Sequence, residues 1–526
     1  MKRRSFLTNT GKVISLPVLL NGLNINALTA SPLFNAMNSN TDRVLVIVRL
    51  NGGNDGLNML MPVDQYDKLQ NIRGNIMLPQ NDYLDLGNSL NLAFHPDMTG
   101  VKSLFDDAKL NIVQNVSYPN QNRSHFRSTD IWTSGSPADE VWTNGWLGRY
   151  FDTQYAGYPT DYPNDENPDP IALSIDSQVA ETCQGLAGNF SLAVTDPFSL
   201  SPLAEGAQTT PPDSFYGDEL SFLYDTLEQT NAYGDVIVNA ANLGNNLATY
   251  PDTQLAEQLS VVARLIAGGL KTKVYVVSQG GYDTHANQVV ANMPDRGRHS
   301  DLLTELSAAI AAFQNDLQMQ SLEERVLGMT FSEFGRQIAS NFSYGTDHGT
   351  AAPLMLFGSC VNAGVMGENP DIPDTPEPQE GVAMQHDFRD IYGSVLMDWF
   401  DVPQAEVENL LYADFSYMPI ATSCDTVLSI DNQRVTQEEA IEKLRQLKIN
   451  PNPIRQTAQV SFHSFGEKIR LSIFDARGQE VQILADRNFT QGEHQVRWEA
   501  HRLTSGNYYC RLKTKHGQQT RRVVKI

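Results

Sequence analysis

The sequence predicts an α/β protein: a doubly wound, mostly parallel sheet followed by a small all-β sandwich. Three observations predict it. Nearly continuous apolar, β-branched runs recur through the long first part of the chain, as in strands buried on both faces. Helical stretches lie between them, and strands alternating with helices build a sheet covered on both sides. After Asn450-Pro451-Asn452-Pro453 the pattern changes to short strands of period two separated by turns, the signature of a sandwich.

The first run is Arg43–Leu50 (RVLVIVRL), closed by the turn Asn51-Gly52-Gly53-Asn54-Asp55-Gly56. Lys109–Val113, Lys273–Val277, Arg325–Phe331 and Pro353–Phe357 repeat it. Leu255–Gly268 and Asp301–Gln318 carry apolar residues at three- and four-residue spacing, which predicts helices. Tyr158–Pro170 and Asn369–Gly381, rich in Pro, Asp and Glu, read as surface loops. Ser429–Lys448 is polar with a short helical pattern and reads as a linker. In the tail, Lys468–Phe474 and Gln495–Trp498 alternate, with turns at Arg477-Gly478 and Ser505-Gly506.

With 526 residues, 41% apolar and 19% charged, the chain is globular and longer than one domain. The net charge is −23, from 38 Lys+Arg against 61 Asp+Glu, which disfavours nucleic acid and anionic lipid. The charge is unevenly placed. From Ile449 onward there are 13 basic and 6 acidic residues, leaving 25 and 55 before it. An acidic part of net −30 is joined to a basic tail of net +7. Cys183, Cys360, Cys424 and Cys510 are far apart and form no CxxC pair, which excludes a zinc ribbon and does not argue for a disulfide.

The N-terminus reads as an export signal over residues 1–30. Lys2-Arg3-Arg4-Ser5-Phe6-Leu7 is followed by an apolar stretch, Val13–Leu23, and small residues ending at Ala30. The Arg-Arg-x-Phe-Leu core resembles a twin-arginine signal; an ordinary secretory signal is the alternative. No stretch reaches the ~18 apolar residues of a membrane span, so no transmembrane segment is expected.

Four polar groups follow the predicted strands: Asn51–Asp55, Asn122-Arg123-Ser124-His125-Phe126, Gly280-Gly281-Tyr282-Asp283-Thr284-His285, and Ser332-Glu333-Phe334-Gly335-Arg336 with Thr346-Asp347-His348-Gly349. Ligands of open α/β sheets bind beyond the C-terminal strand ends. Carboxylates and imidazoles gathered there would hold one or two divalent cations, zinc, calcium or magnesium. The candidate ligands are Asp55, Asp283, His285, Glu333, Asp347 and His348. Ser124, opening a helix, would meet an anionic substrate, and Arg123 would help neutralise it. Each has a plainer reading: Asn51–Asp55 as a turn, Ser124 as a helix cap, His125 as a packed imidazole. His95, His299 and His386 lack such a context and read as structural.

RLNGGNDGLN (Arg49–Asn58), NRSHFRSTDIWTSG (Asn122–Gly135), GGYDTHANQ (Gly280–Gln288), FSEFGR (Phe331–Arg336) and TDHG (Thr346–Gly349) resemble the exported family known as domain of unknown function 1501. That family looks like a branch of the alkaline phosphatase and sulfatase superfamily. The resemblance covers 43–414 and implies a metal site acting on phosphate or sulfate esters. It places the nucleophile at Ser124, with Ser117 as a second candidate, and metal ligands at Asp283, His285 and His348. Asn51 or Asp55 falls where the superfamily has its first Asp. Glu333 takes the place of an Asp, and Phe334 stands where a ligand His is expected, which implies that one of two metal sites is eroded. Residues 449–526, with FDARGQEV (Phe474–Val481), LTSGNYYCRL (Leu503–Leu512) and TRRVVKI (Thr520–Ile526), resemble the type IX secretion sorting domain of Bacteroidetes-type bacteria. A carbohydrate-binding sandwich using Trp498, Tyr508 and Tyr509 is the alternative for the tail. The expected organisation is thus 1–30 signal peptide, 43–414 phosphatase/sulfatase-like domain, 415–448 linker and 449–526 sorting sandwich. The expected function is an exported hydrolase using the export and type IX machinery, with Ser124, Arg123 and His125 catalytic. The alternative is a non-catalytic surface binding or assembly protein on the same fold.

Overall fold

In the computed structural model the first apolar run becomes β1 (Val44–Asn51), a central strand of a nine-stranded sheet. The structure describes residues 42–421 and 447–526, apart from 88–89, 199, 201–209, 466–467, 476–479, 490, 502 and 515–516. The expected signal peptide, most of the expected linker and the Arg477-Gly478 turn lie outside these residues. Two compact units divide between Cys424 and Asp425.

The other strands of the large sheet are β2 (Leu110–Ser117), β3 (Ala172–Ser174), β4 (Ser191–Ala193), β5 (Val274–Gly280), β6 (Val326–Ser332), β7 (Ala352–Phe357), β8 (Gly364–Met366) and β9 (His386–Asp387). Their order is β8-β2-β7-β6-β1-β5-β3-β4, with β9 beside β2. β5 and β6 flank β1 in parallel, β3 is parallel to both β4 and β5, and β8 and β9 run parallel to β2. β7 alone is antiparallel to its neighbours, β2 and β6. Its sequence reads like the other buried runs, because a strand apolar on both faces carries no mark of direction.

Alternate side chains of β1 enter opposite cores, as a period of two requires. Val44, Val46 and Val48 pack with Leu259 and Val262 of the helix Gln254–Ala267 and Leu306 and Ile310 of the helix Arg298–Met319. Leu45 and Ile47 pack with Trp132, Trp146 and the helix Phe388–Phe400, including Ile391, Val395 and Trp399. Helices therefore cover both faces. Among the described residues, no helix is long and apolar enough to cross a membrane.

Strand direction decides what meets at the sheet's edge. Asn51 is level with Gly280 of β5, and Leu50 with Ser332 of β6. β7, being antiparallel, starts at this edge, so the approach Thr346–Ala351 reaches it too.

The second unit holds a three-stranded sheet (Lys448–Asn450, Thr457–Phe465, Gln491–Glu499) and a four-stranded one (Glu480–Asn488, Lys468–Phe474, Gly506–Thr514, Gly517–Lys525), antiparallel throughout. Ile469, Leu471, Ile473, Val460 and Leu512 fill its core together with Trp498 and Tyr508. Burial of those two rings removes two of the three aromatics that a sugar-binding face would need. Cys183 and Cys510 are free and buried, whereas Cys360 is disulfide-bonded, which the wide spacing gave no reason to expect.

A buried ion pair ties the turn after β1 to the helix Tyr66–Arg73. The Arg73 guanidinium donates to Asp55 Oδ2, and Gln288 Nε2 donates to the same oxygen at 2.6 Å. Burial alone would raise the Asp55 pKa, but the Arg73 charge, with His299 and the Gln288 hydrogen bond, turns the shift downward. A carboxylate held low stabilises the fold above its unfolded pKa, about 4, and loses that contribution as pH falls through the folded value. Asp55→Asn should lower the thermal midpoint at neutral pH, in line with the ~3–5 kcal/mol cost of breaking a buried pair. Thermal denaturation below about pH 4 should find the gap between parent and variant narrowing; a constant gap would remove Asp55 as its source.

Candidate metal centre

Four side chains from three separate segments of the chain converge at the edge where the parallel strands end. Asp283 follows β5 after Gly280-Gly281-Tyr282, with Tyr282 N–H bonded to Asn51 O at 3.0 Å. His285 lies two residues on. His125 opens the helix His125–Ser134 beyond β2, and His348 precedes β7. The close approach of the β1 and β5 turns requires glycine at position 52: its φ is +122, and a Cβ there would sit 2.3 Å from Asp283 N.

One oxygen is the focus. Asp283 Oδ1 lies 3.1 Å from His285 Nε2, 3.1 Å from His348 Nε2 and 3.4 Å from His125 Nε2. The outer nitrogen of each ring has its own acceptor. His125 Nδ1 is 3.0 Å from Glu333 Oε1, His285 Nδ1 is 2.6 Å from Asp347 Oδ1, and His348 Nδ1 is 2.8 Å from Arg123 O. With Nδ1 facing an acceptor, each ring turns Nε2 toward Asp283 Oδ1, where it donates to the carboxylate when protonated and offers a lone pair to a cation when not. Three Nε2 atoms therefore converge on one carboxylate. His285 and His348 bring theirs within 2.9 Å of each other, an arrangement that repels unless a proton or a cation stands between.

Three imidazole nitrogens and a carboxylate oxygen, each ring backed by an outer acceptor, are the donor set of a zinc or similar divalent site. His125, Asp283 and His348 each offer a ligand atom within 4.8 Å of the others, and no second group of three is found among the described residues. Burial would raise the Asp283 pKa, but the hydrogen bonds and charge of Arg336 and the bond to His348 bring it down to about 2. The Glu333 bond raises the pKa of His125, and burial lowers that of His348.

Arg336 underlies the cluster and is fully buried. Its guanidinium donates to Gly53 O at 2.6 Å, Thr346 O at 2.9 Å, Tyr282 O at 2.9 Å and Asp283 Oδ1 at 2.8 Å, and also to Gly52 O. It laces the loops after β1 and β5 to the approach to β7. In the sequence it is one letter of a motif, and nothing there distinguishes it from a surface arginine.

The predicted site residues divide into three sets. Asp283, His285, His348 and His125 come together, with His125 Nε2 facing the same oxygen as the other two rings. Asp347 and Glu333 stand one layer out, each orienting an imidazole. Glu333 Oε1 is further held by Gly52 N–H at 2.8 Å, and its backbone carbonyl accepts from Ser128 Oγ and, at 2.9 Å, Trp132 Nε1. Asp55 is turned away into its pair with Arg73. Asp55 and Glu333, expected to share a second cation, are thus engaged with different partners, Arg73 and His125. The buried Phe334 ring centres 4.6 Å from His348 and 5.0 Å from His125, packing against both imidazoles.

Ser124 occupies the N-cap position, but its side chain makes no capping bond, so the cap reading is not met and the hydroxyl is left exposed. Ser117 is buried with Oγ donating to Gln121 at 2.5 Å, which commits it elsewhere. Arg123 Nη1 donates to Gln379 O at 2.6 Å and His348 O at 3.3 Å, clamping the Asn369–Gly381 loop beside the cluster. His299 is buried against Asn54, its Nε2 2.9 Å from Asn54 Oδ1, and its pKa is lowered by burial to about 3.

Residues 448–526 match the secretion system C-terminal sorting domain, so the chain carries the type IX signal that marks proteins for secretion or the cell surface. No curated protein matches the sequence. Among solved structures, PorZ, a surface component of the type IX system of Porphyromonas gingivalis, aligns at 19% identity over 16% of this chain and 12% of its own length, with a TM-score of 0.13. A sulfatase from Pseudoalteromonas sp. aligns at 9% identity over 89% of this chain and 86% of its own, with a TM-score of 0.32. For a phosphonate monoester hydrolase from Silicibacter pomeroyi the values are 8%, 91%, 88% and 0.30. Superpositions this loose leave the chemistry of the site to rest on its own geometry. The family described as protein of unknown function (DUF1501) matches residues 109–398, more than half of the chain, and the protein belongs to that family.

Proposed function

We propose that the chain is an exported, metal-dependent hydrolase of phosphate or sulfate esters. Its working part is residues 43–414, with 1–30 as a twin-arginine-type signal peptide, 415–448 as a linker and 449–526 as the sorting tail. One observation carries the reading: three imidazole Nε2 atoms converging on Asp283 Oδ1, each ring with Nδ1 tied to an outer acceptor. A divalent cation held by Asp283, His285, His348 and His125 would supply electrophilic stabilisation of an ester oxygen. Around it, Glu333, Asp347 and the Arg123 carbonyl keep the three rings oriented. Ser124, uncapped at a helix N-terminus where backbone N–H groups favour an anion, is the nucleophile of this reading. The strongly acidic chain makes that local positive end, the cation and Arg123 necessary for an anionic ester to enter. The second reading, a non-catalytic surface protein on the same fold, is favoured by Phe334, whose ring packs on two of the imidazoles.

Metal analysis of the purified full chain, with aryl phosphate and aryl sulfate as substrates, tests the proposal. Stoichiometric divalent metal is expected, lost in Asp283→Asn and His348→Ala together with turnover. Glu333→Gln and Asp347→Asn should weaken metal affinity by about 10–100-fold, the usual cost of removing an outer partner. Ser124→Ala should keep the metal while kcat falls by at least about 1000-fold. No metal and no turnover would sink the enzyme reading; metal without turnover would leave the binding protein. Full activity in Ser124→Ala would remove only the nucleophile assignment.

A further inference from the structure

At the far end of the helix that begins with His125, a cavity of about 360 Å³ opens between Asp130, the segment Val141–Gly145, and Val179, Glu181, Gln184 and Asn189. Its chemistry differs from that of the metal centre. Trp142 lines it with a fixed indole: Arg149 stacks on the ring at 4.6 Å, and Nε1 donates to Glu140 Oε2 at 2.8 Å. The carboxylates of Asp130 and Glu181 are exposed and make no ion pair or hydrogen bond among the described residues. Val141 and Val179 are 74% and 46% exposed beside them.

From these features we infer a saccharide-binding site, taking one or two rings that are neutral or amino-bearing and not sulfated or phosphorylated. Ionised carboxylates only accept hydrogen bonds, so the ligand must be rich in hydroxyl or ammonium donors. Two unpaired negative charges repel an anionic ligand. The indole and the exposed valines call for an apolar face on the same small molecule, and a sugar ring joins a C–H face to a rim of donors. The volume is at the small end of ligand pockets, about 300–1,000 Å³, which limits the occupant to a short saccharide. None of the lining residues belongs to the metal cluster, so the inference stands apart from the hydrolase reading.

Calorimetric titration of the full chain with cellobiose, its glucosamine counterpart and an O-sulfated glucosamine disaccharide tests it. Saturable binding of at least one unsulfated sugar is expected, with the sulfated one at least tenfold weaker. Trp142→Ala should abolish binding. Asp130→Asn and Glu181→Gln, surface changes that leave the core intact, should each weaken it several-fold. No binding of either unsulfated sugar would overturn the site, as would equal affinity for the sulfated one. Unchanged affinity in both carboxylate variants would also overturn it.

Discussion

The buried guanidinium of Arg336 is the interaction on which the arrangement at the strand ends depends. It donates to carbonyls of three separate turns and to Asp283. A buried arginine is tolerable only when its donors are met and its charge is balanced. Here backbone carbonyls meet the donors and Asp283 balances the charge. The same pairing keeps Asp283 ionised and aims one oxygen at the three imidazoles. Scaffold and site therefore share a single electrostatic solution.

The centre is built in layers around Asp283. Arg336 faces Asp283, Asp283 faces the Nε2 atoms, and the Nδ1 atoms face Glu333, Asp347 and the Arg123 carbonyl. Each outer acceptor fixes the orientation of its ring. Phe334 supplies an apolar floor against two of the rings, lowering the local dielectric and strengthening the contacts above it.

Much of this was legible in the residues themselves. Arg43–Leu50 and Arg325–Phe331 read as buried strands because hydrophobic runs of that length have few other uses, and β1 and β6 follow them closely. Asp283, His285 and His348 were recognisable because polar groups after such runs gather at one edge. His125, Glu333, Asp347 and Asp55 were named in the sequence but given different duties. The difference between a ligand and its supporter is a matter of one hydrogen bond, which residue type does not encode. Arg336 passed unremarked for the same reason.

By itself, the sequence determined the two-part organisation, the alternation of strands and helices, the basic charge of the β-rich tail, and which polar segments sit at strand ends. These follow from local periodicity and composition, which a linear chain carries in full. Only the tertiary structure decided that β7 runs antiparallel, which carries His348 to the edge where Asp283 waits. It alone decided that Asp55 pairs with Arg73, that Glu333 supports His125, and that Trp142 lines a cavity with the exposed carboxylates of Asp130 and Glu181. Each of these depends on contacts between residues far apart in the chain. Their energies are set by distance and burial in three dimensions, quantities that no local pattern contains.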